Sequence, residues 1–185
     1  MLHDDDDGLV EPGQRVGLRV RMDWAPTAVL FYIGGDVRAT PNVGQTTNNA
    51  LGFTVQPGPG NILDPGVASG ASVLGVEVLS GWQPTFGATP PVDPWSFGTD
   101  FPLLAFEWTA PNEPGAVVSF DWIARPVIPG TPQPASPSFW VYPSALLQPV
   151  PTTCFGTTLT VVPAPGALMV LGAGAACRRR RVWSA

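Results

Sequence analysis

The chain contains no lysine, a single histidine and only two cysteines among 185 residues. Nucleophilic catalysis of the Ser-His-Asp or Cys-His kind needs a histidine beside the nucleophile, and His3 lies in an acidic run at the start of the chain. Cys154 and Cys177 are too few for a disulfide framework, and histidine and cysteine do not cluster as a zinc site requires. No glycine-rich phosphate loop follows a strand and opens a helix. We therefore expect neither a metal nor a cofactor.

Charged residues are also scarce, at 12% of the chain, which is about half of the usual share. Up to residue 177, five arginines face 14 acidic residues, and only the four arginines that follow reduce the net charge to −5. Such an acidic body has no cluster of basic residues that would bind the phosphate groups of a nucleic acid. We therefore expect no nucleic-acid partner.

Helical periodicity is missing outside the C-terminal segment, and strand patterns take its place. After a turn at residues 11–14, Val16, Leu18 and Val20 alternate with Arg15 and Arg19, which is typical of a half-buried strand. Further apolar, β-rich runs recur at residues 29–33, 51–55, 73–79, 103–108, 117–123, 139–142 and 157–162. Gly- and Pro-rich stretches separate these runs, and Gly34-Gly35 is one of the predicted breaks.

This pattern predicts an all-β fold: an antiparallel β-sandwich or jelly roll of about eight short strands, followed by a short C-terminal apolar helix. The turn and first alternating strand resemble the entry of cohesin-like and related extracellular β-sandwich modules. That resemblance covers about 15 residues and implies an extracellular binding or structural module.

Two apolar triplets predict the centre of the core. They are Leu104, Phe106 and Trp108, and Val118, Phe120 and Trp122. The Pro/Asn/Gly stretch between them can reverse the chain, so we expect the triplets to form one hairpin with an aromatic inner face. In that register Glu107 and Asp121 would be diagonal neighbours on the outer face, about 7–8 Å apart.

The C-terminal segment joins three parts in a fixed order. A proline motif is followed by a 12-residue apolar run at residues 166–177 and then by an arginine cluster. The motif consists of Val162, Pro163, Ala164, Pro165, Gly166, Ala167 and Leu168, and the cluster of Arg178, Arg179, Arg180 and Arg181. An apolar segment stopped by cations is typical of a membrane-inserted tail whose charges stay on the cytoplasmic side.

This arrangement resembles the PEP-CTERM sorting signal of bacterial surface proteins in its Pro-Ala-Pro-Gly-Ala-Leu form, with Ala164 where the family name has Glu. The resemblance implies an exosortase-type membrane protease as a partner, transient anchoring in the inner membrane, and export to the cell surface. The apolar run would span about 18 Å as a helix, against a hydrocarbon core of about 30 Å. The alternative is a small Ala/Gly-rich terminal helix with favourable cations at its end.

Three segments follow from these patterns: an acidic lead-in at 1–8, a β-sandwich domain at 9–162, and a sorting and anchor tail at 163–185. An exported protein should begin with a signal peptide, and Met1 to Asp7 has neither a positive n-region nor an apolar h-region. We therefore expect coding sequence upstream of Met1. Four adjacent aspartates lack the spaced ligands and fixed glycine of a calcium loop.

Two function classes remain open for the body. The favoured class is a non-enzymatic surface or matrix protein, and its candidate glycan-binding residues are the aromatic side chains of the predicted loop at residues 81–102. They are Trp82, Phe86, Trp95 and Phe97, with Phe101 at the end of the loop. The alternative for these rings is packing as a satellite cluster. The rival class is a secreted glycoside hydrolase, in which Glu107 and Asp121 would line a cleft at the separation that inverting enzymes use.

Overall fold

All regular elements that a computed structural model describes in this chain are β-strands. The structure describes residues 2–3, 7–24, 28–51, 62–79, 101–126, 136–141, 146–149 and 153–163. The strands are β1 (Leu2–His3), β2 (Leu9–Val10), β3 (Arg15–Met22), β4 (Ala28–Thr40), β5 (Gln45–Leu51), β6 (Ile62–Asp64), β7 (Val67–Ser69), β8 (Ser72–Leu79), β9 (Phe101–Thr109), β10 (Val117–Ala124), β11 (Ser138–Val141), β12 (Leu146–Pro149) and β13 (Thr157–Val161). The predicted all-β class is confirmed. The predicted terminal helix, at the apolar run of residues 166–177, lies outside the described residues.

The strands form two sheets. One is four-stranded and antiparallel, in the order β1-β3-β9-β5. The other is nine-stranded, and its main path runs β12-β11-β4-β10-β13-β2. Strands β10 and β11 pair with successive parts of one edge of β4. Strand β8 pairs with the opposite edge of β4 and also with β6 and β7. The sequence predicted purely antiparallel sheets. The larger sheet is instead mixed, because β13 and β2 run parallel.

Strand β4 runs through the glycine pair that was predicted to end it. Its 13 residues include Gly34 and Gly35. A Cβ at Gly35 would lie 2.5 Å from the Ile123 carbonyl oxygen and 2.6 Å from the Trp122 ring. The missing side chain at Gly35 therefore leaves room for the backbone of β10 and for the Trp122 indole. The predicted break is therefore wrong, since glycine within a strand also marks a close approach of other groups.

The predicted hairpin is wrong as well, although its inner face is largely right. Strand β9 pairs with β3 and β5, whereas β10 pairs with β4 and β13, so the two triplets belong to different sheets. Their rings meet across the core: Phe120 lies 5.3 Å from Trp108 and 6.4 Å from Phe106 between ring centroids. Trp122, near the end of β10, is only half-buried, and its ring lies close to Gly35.

The core lies between the two sheets. Alternation directs Val16, Leu18 and Val20 of β3 and Val118 and Phe120 of β10 into this core, and all five side chains are buried. At one end of the core, Trp24 packs edge-on against Phe101 and also contacts Phe139. The two sheets therefore stabilise each other through one continuous apolar layer.

All eight predicted runs contain strand residues, and only Leu51 of the run at 51–55 is described. Sequence patterns missed most of β5, because its polar residues do not alternate with apolar ones. Within β5, Thr46 is buried and its hydroxyl donates to the Ala71 carbonyl oxygen at 2.7 Å. A polar strand such as β5 is stabilised by hydrogen bonds to residues that are distant in sequence, which local patterns do not reveal.

Candidate functional site

The two carboxylates proposed for hydrolysis lie on opposite sides of the molecule. Glu107 alternates with the buried Phe106 and Trp108 in one sheet, and Asp121 follows the buried Phe120 in the other. Because the buried rings meet across the core, both carboxylates point away from it in opposite directions. The expectation that they are diagonal neighbours is wrong, and they cannot flank one glycosidic bond.

The outward side of the four-stranded sheet gathers three of the chain's nine arginines. On β3, Arg15 and Arg19 are exposed and Arg21 is half-buried. They project from the sheet because the alternate residues of β3, Val16, Leu18 and Val20, enter the core. This concentration contrasts with the acidic composition of the chain.

Polar side chains of the neighbouring strands complete this surface. Thr109 of β9 lies directly across from Arg15, and Gln45 of β5 lies across from Thr109. Glu107 pairs with Gly17 on one side and with Thr47 on the other. We call this surface the arginine face, and define it as residues Arg15, Gly17, Arg19, Arg21, Gln45, Thr47, Glu107 and Thr109.

A second polar cluster lies on the outward side of the nine-stranded sheet, where β10 ends and β11 begins along one edge of β4. The Arg125 backbone N–H donates to the Gly34 carbonyl oxygen at 2.8 Å. Its guanidinium donates to Glu77 at 2.9 Å and to the Tyr32 hydroxyl at 3.3 Å. The Ser136 hydroxyl donates to the Gly34 carbonyl at 2.6 Å and accepts from the Gly34 N–H at 2.9 Å.

The electrostatics of this cluster fit a structural role. Burial raises the pKa of the Tyr32 phenol, and the nearby Arg125 guanidinium partly offsets that rise. The hydrogen bond to Glu77 raises the pKa of Arg125 further, so its positive charge is held firmly. Each of these polar groups forms a hydrogen bond with another group of the cluster. The cluster therefore connects neighbouring strands and is not arranged as a reactive centre. Sequence patterns could not reveal it, because 93 residues separate Tyr32 from Arg125.

The body ends in a well-bonded strand just before the predicted sorting motif. Val161 donates its N–H to the Ala116 carbonyl oxygen, and Val162 donates its N–H to Val10 of β2, each at 2.8 Å. Val162 is half-buried and Pro163 is exposed. The rest of the motif, from Ala164 to Leu168, and the arginine cluster at 178–181 lie outside the described residues.

The predicted glycan-binding residues Trp82, Phe86, Trp95 and Phe97 also lie outside the described residues. Phe101, the last ring of that predicted loop, is described and belongs to β9. It is buried and packs against Trp24, so this ring is part of the core rather than of a sugar platform.

One thiol and no metal cluster are found within the part of the chain that the structure describes. Cys154 is exposed as a residue, yet partial burial of its thiol raises the pKa, and the neighbouring Asp121 carboxylate adds to the rise. No three histidine, cysteine or carboxylate side chains of the described ranges come together as metal ligands. None of the described residues belongs to a helix that could span a bilayer.

No model of a known protein family matches the chain, and no curated protein matches it significantly. The function therefore has to be inferred from the residues and from their geometry.

Proposed function

We propose that the protein is an exported cell-surface or extracellular-matrix protein, sorted through its C-terminal segment, with a β-sandwich body that has a structural or binding role. The observation that carries this proposal is the order of proline motif, apolar run and four arginines in residues 162–181. An apolar segment that ends in cations is held in a membrane with those cations on the cytoplasmic side. The resemblance to a PEP-CTERM signal implies that a membrane protease then removes the segment.

The way in which the body ends supports the proposal. The hydrogen bonds of Val161 and Val162 fix β13 in its sheet, whereas Pro163 is exposed. A protease acting beyond Pro163 would therefore leave every described strand intact. A sorting signal has to be separable from the folded domain in this manner.

We favour a structural or binding role over hydrolysis because of the two separated carboxylates. Acid-base cleavage of a glycosidic bond needs both carboxyl groups at one bond. Glu107 and Asp121 lie on the outward sides of different sheets, so this pair cannot act together as the acid and base of a glycoside hydrolase. The predicted glycan platform formed by Trp82, Phe86, Trp95 and Phe97 stays a prediction.

Mass spectrometry of surface material from the native cell tests the sorting step. We expect the body to be recovered without Arg178 to Arg181. A variant with Pro163→Ala and Pro165→Ala should instead accumulate unprocessed in the membrane fraction, and Arg38→Gln in the body should be processed normally. Recovery of intact wild-type chain from the cytosol would refute the proposal.

A further inference from the structure

The C-terminal segment leaves the body at one end of the sandwich, between two short turns. The turn at residues 11–14 connects β2 to β3, and the turn at residues 112–116 lies between β9 and β10. Strand β13 lies between β2 and β10, so it ends beside both turns. The Gly115 N–H of the second turn donates to the Val161 carbonyl oxygen at 2.7 Å. We call the two turns and the end of β13 the exit end.

The chain beyond the exit end is too short to keep the body away from a membrane. Val162 is held by its hydrogen bond to Val10, and the apolar run begins at Gly166. The chain between Val162 and Gly166 covers at most about 14 Å when it is fully extended. The lipid headgroups form a layer about 5–7 Å thick on each side of the hydrocarbon core. An inserted apolar run would therefore hold Val162 within about 8 Å of the headgroup surface.

The shortness of the apolar run brings the body closer still. Residues 166–177 would span about 18 Å as a helix, against a hydrocarbon core of about 30 Å. Arg178 follows directly, and its guanidinium stays on the cytoplasmic side. A run of this length is accommodated when the bilayer thins locally or when the residues that flank the run enter the interface. Both adjustments move the end of β13 towards the lipid surface.

The side chains at and beside the exit end suit a surface of zwitterionic lipids. Leu9 and Val117 lie on either side of Thr160 and are 46% and 48% exposed. Aliphatic side chains in such a position gain free energy when they are buried at the boundary of headgroups and acyl chains. Glu11 and Glu113 of the two turns are exposed, and their carboxylates match the positively charged ammonium groups of the headgroups.

We propose that the exit end, together with Leu9 and Val117, is a membrane-contact surface that lies against the lipid headgroups while the tail is attached. This inference rests on the proposed insertion of the tail. The short connection imposes the contact, so the contact ends when the tail is removed. The opposite end of the sandwich, where β3 ends and β9 begins, then points away from the bilayer.

Fluorescence quenching on vesicles tests this placement. The full-length chain is inserted into phosphatidylcholine vesicles that carry a quencher on their headgroups, and Cys154→Ser with Cys177→Ser removes the native thiols. A fluorophore is attached at Val117→Cys or, as the matched control, at Ile123→Cys. Both positions lie on the outward side of β10 and are almost equally exposed, at 48% and 50%. Ile123 lies about 20 Å farther from the exit end along the strand.

We expect several-fold stronger quenching at position 117 than at position 123. Inserting about twelve Gly and Ser residues between Pro163 and Ala164 should reduce this difference, because a flexible spacer of that length spans about 20 Å. A difference that the spacer leaves unchanged would overturn the role of the short connection. Equal quenching at both positions, in chains that float with the vesicles, would overturn this inference alone. Chains that do not float with the vesicles would overturn it together with the proposed membrane anchoring, so flotation distinguishes the two failures.

Discussion

Replacing Phe120 by alanine should strongly destabilise the body. The side chain is fully buried, and its ring connects the two sheets through Trp108 at 5.3 Å and Phe106 at 6.4 Å. Truncating a buried phenylalanine costs about 3–5 kcal/mol in all, and the loss of two ring contacts favours the upper part of that range. We therefore expect a loss of about 4–5 kcal/mol in the free energy of unfolding, measured by urea titration of tryptophan fluorescence.

A loss of that size is a large part of the stability of a typical domain, which is about 5–15 kcal/mol. Phe120→Leu provides a milder variant, for which we expect about 1–2 kcal/mol. Ile123→Ala on the same strand is the control, because Ile123 is 50% exposed and should cost less than about 1 kcal/mol. A cost below about 1 kcal/mol for Phe120→Ala, or a larger cost for Ile123→Ala, would refute the placement of Phe120 between the sheets.

Three further predictions concern other parts of the body. Gly35→Ala should cost about 1–3 kcal/mol in urea unfolding, because the added methyl group would meet the Trp122 ring and a strand carbonyl; an unchanged midpoint would contradict this close approach. Since the pKa of Tyr32 is raised in the folded state, stability should fall as the pH rises above the ordinary value of about 10, and Tyr32→Phe should flatten this alkaline loss. At pH 8, alkylation of Cys154, followed by peptide mass spectrometry, should be slower than that of a free cysteine; Asp121→Asn should accelerate it, and an unchanged rate would exclude the carboxylate as a cause.

Local patterns predicted the strands well because alternation records which side of a strand is buried. Most residues of β3, β9 and β10 that alternation directs inward are buried, including Leu18, Trp108 and Phe120, whereas Trp122 is half-buried. Alternation does not record which strand lies beside which. The chain between β9 and β10 could turn back within one sheet or cross to the other, and both courses bury the same rings.

Glycine and polar segments were misjudged for a related reason. Gly35 is a break when only its neighbours in sequence are considered, yet in the fold it makes room for Trp122 from another strand. In β5, Thr46 is held by a hydrogen bond to Ala71, 25 residues away. Partners so distant in sequence leave no periodic signal.

The sequence alone determined the strand class, the inward-facing residues and the sorting hypothesis, since these depend on composition and on residues adjacent in the chain. Tertiary structure alone decided that Glu107 and Asp121 lie on opposite sides and that Arg15 and Arg19 share a surface with Thr47 and Thr109. Strand pairing sets both results, because it brings together side chains from distant parts of the chain. A net charge counted along the sequence cannot show how charges divide between the two outward faces of a folded body.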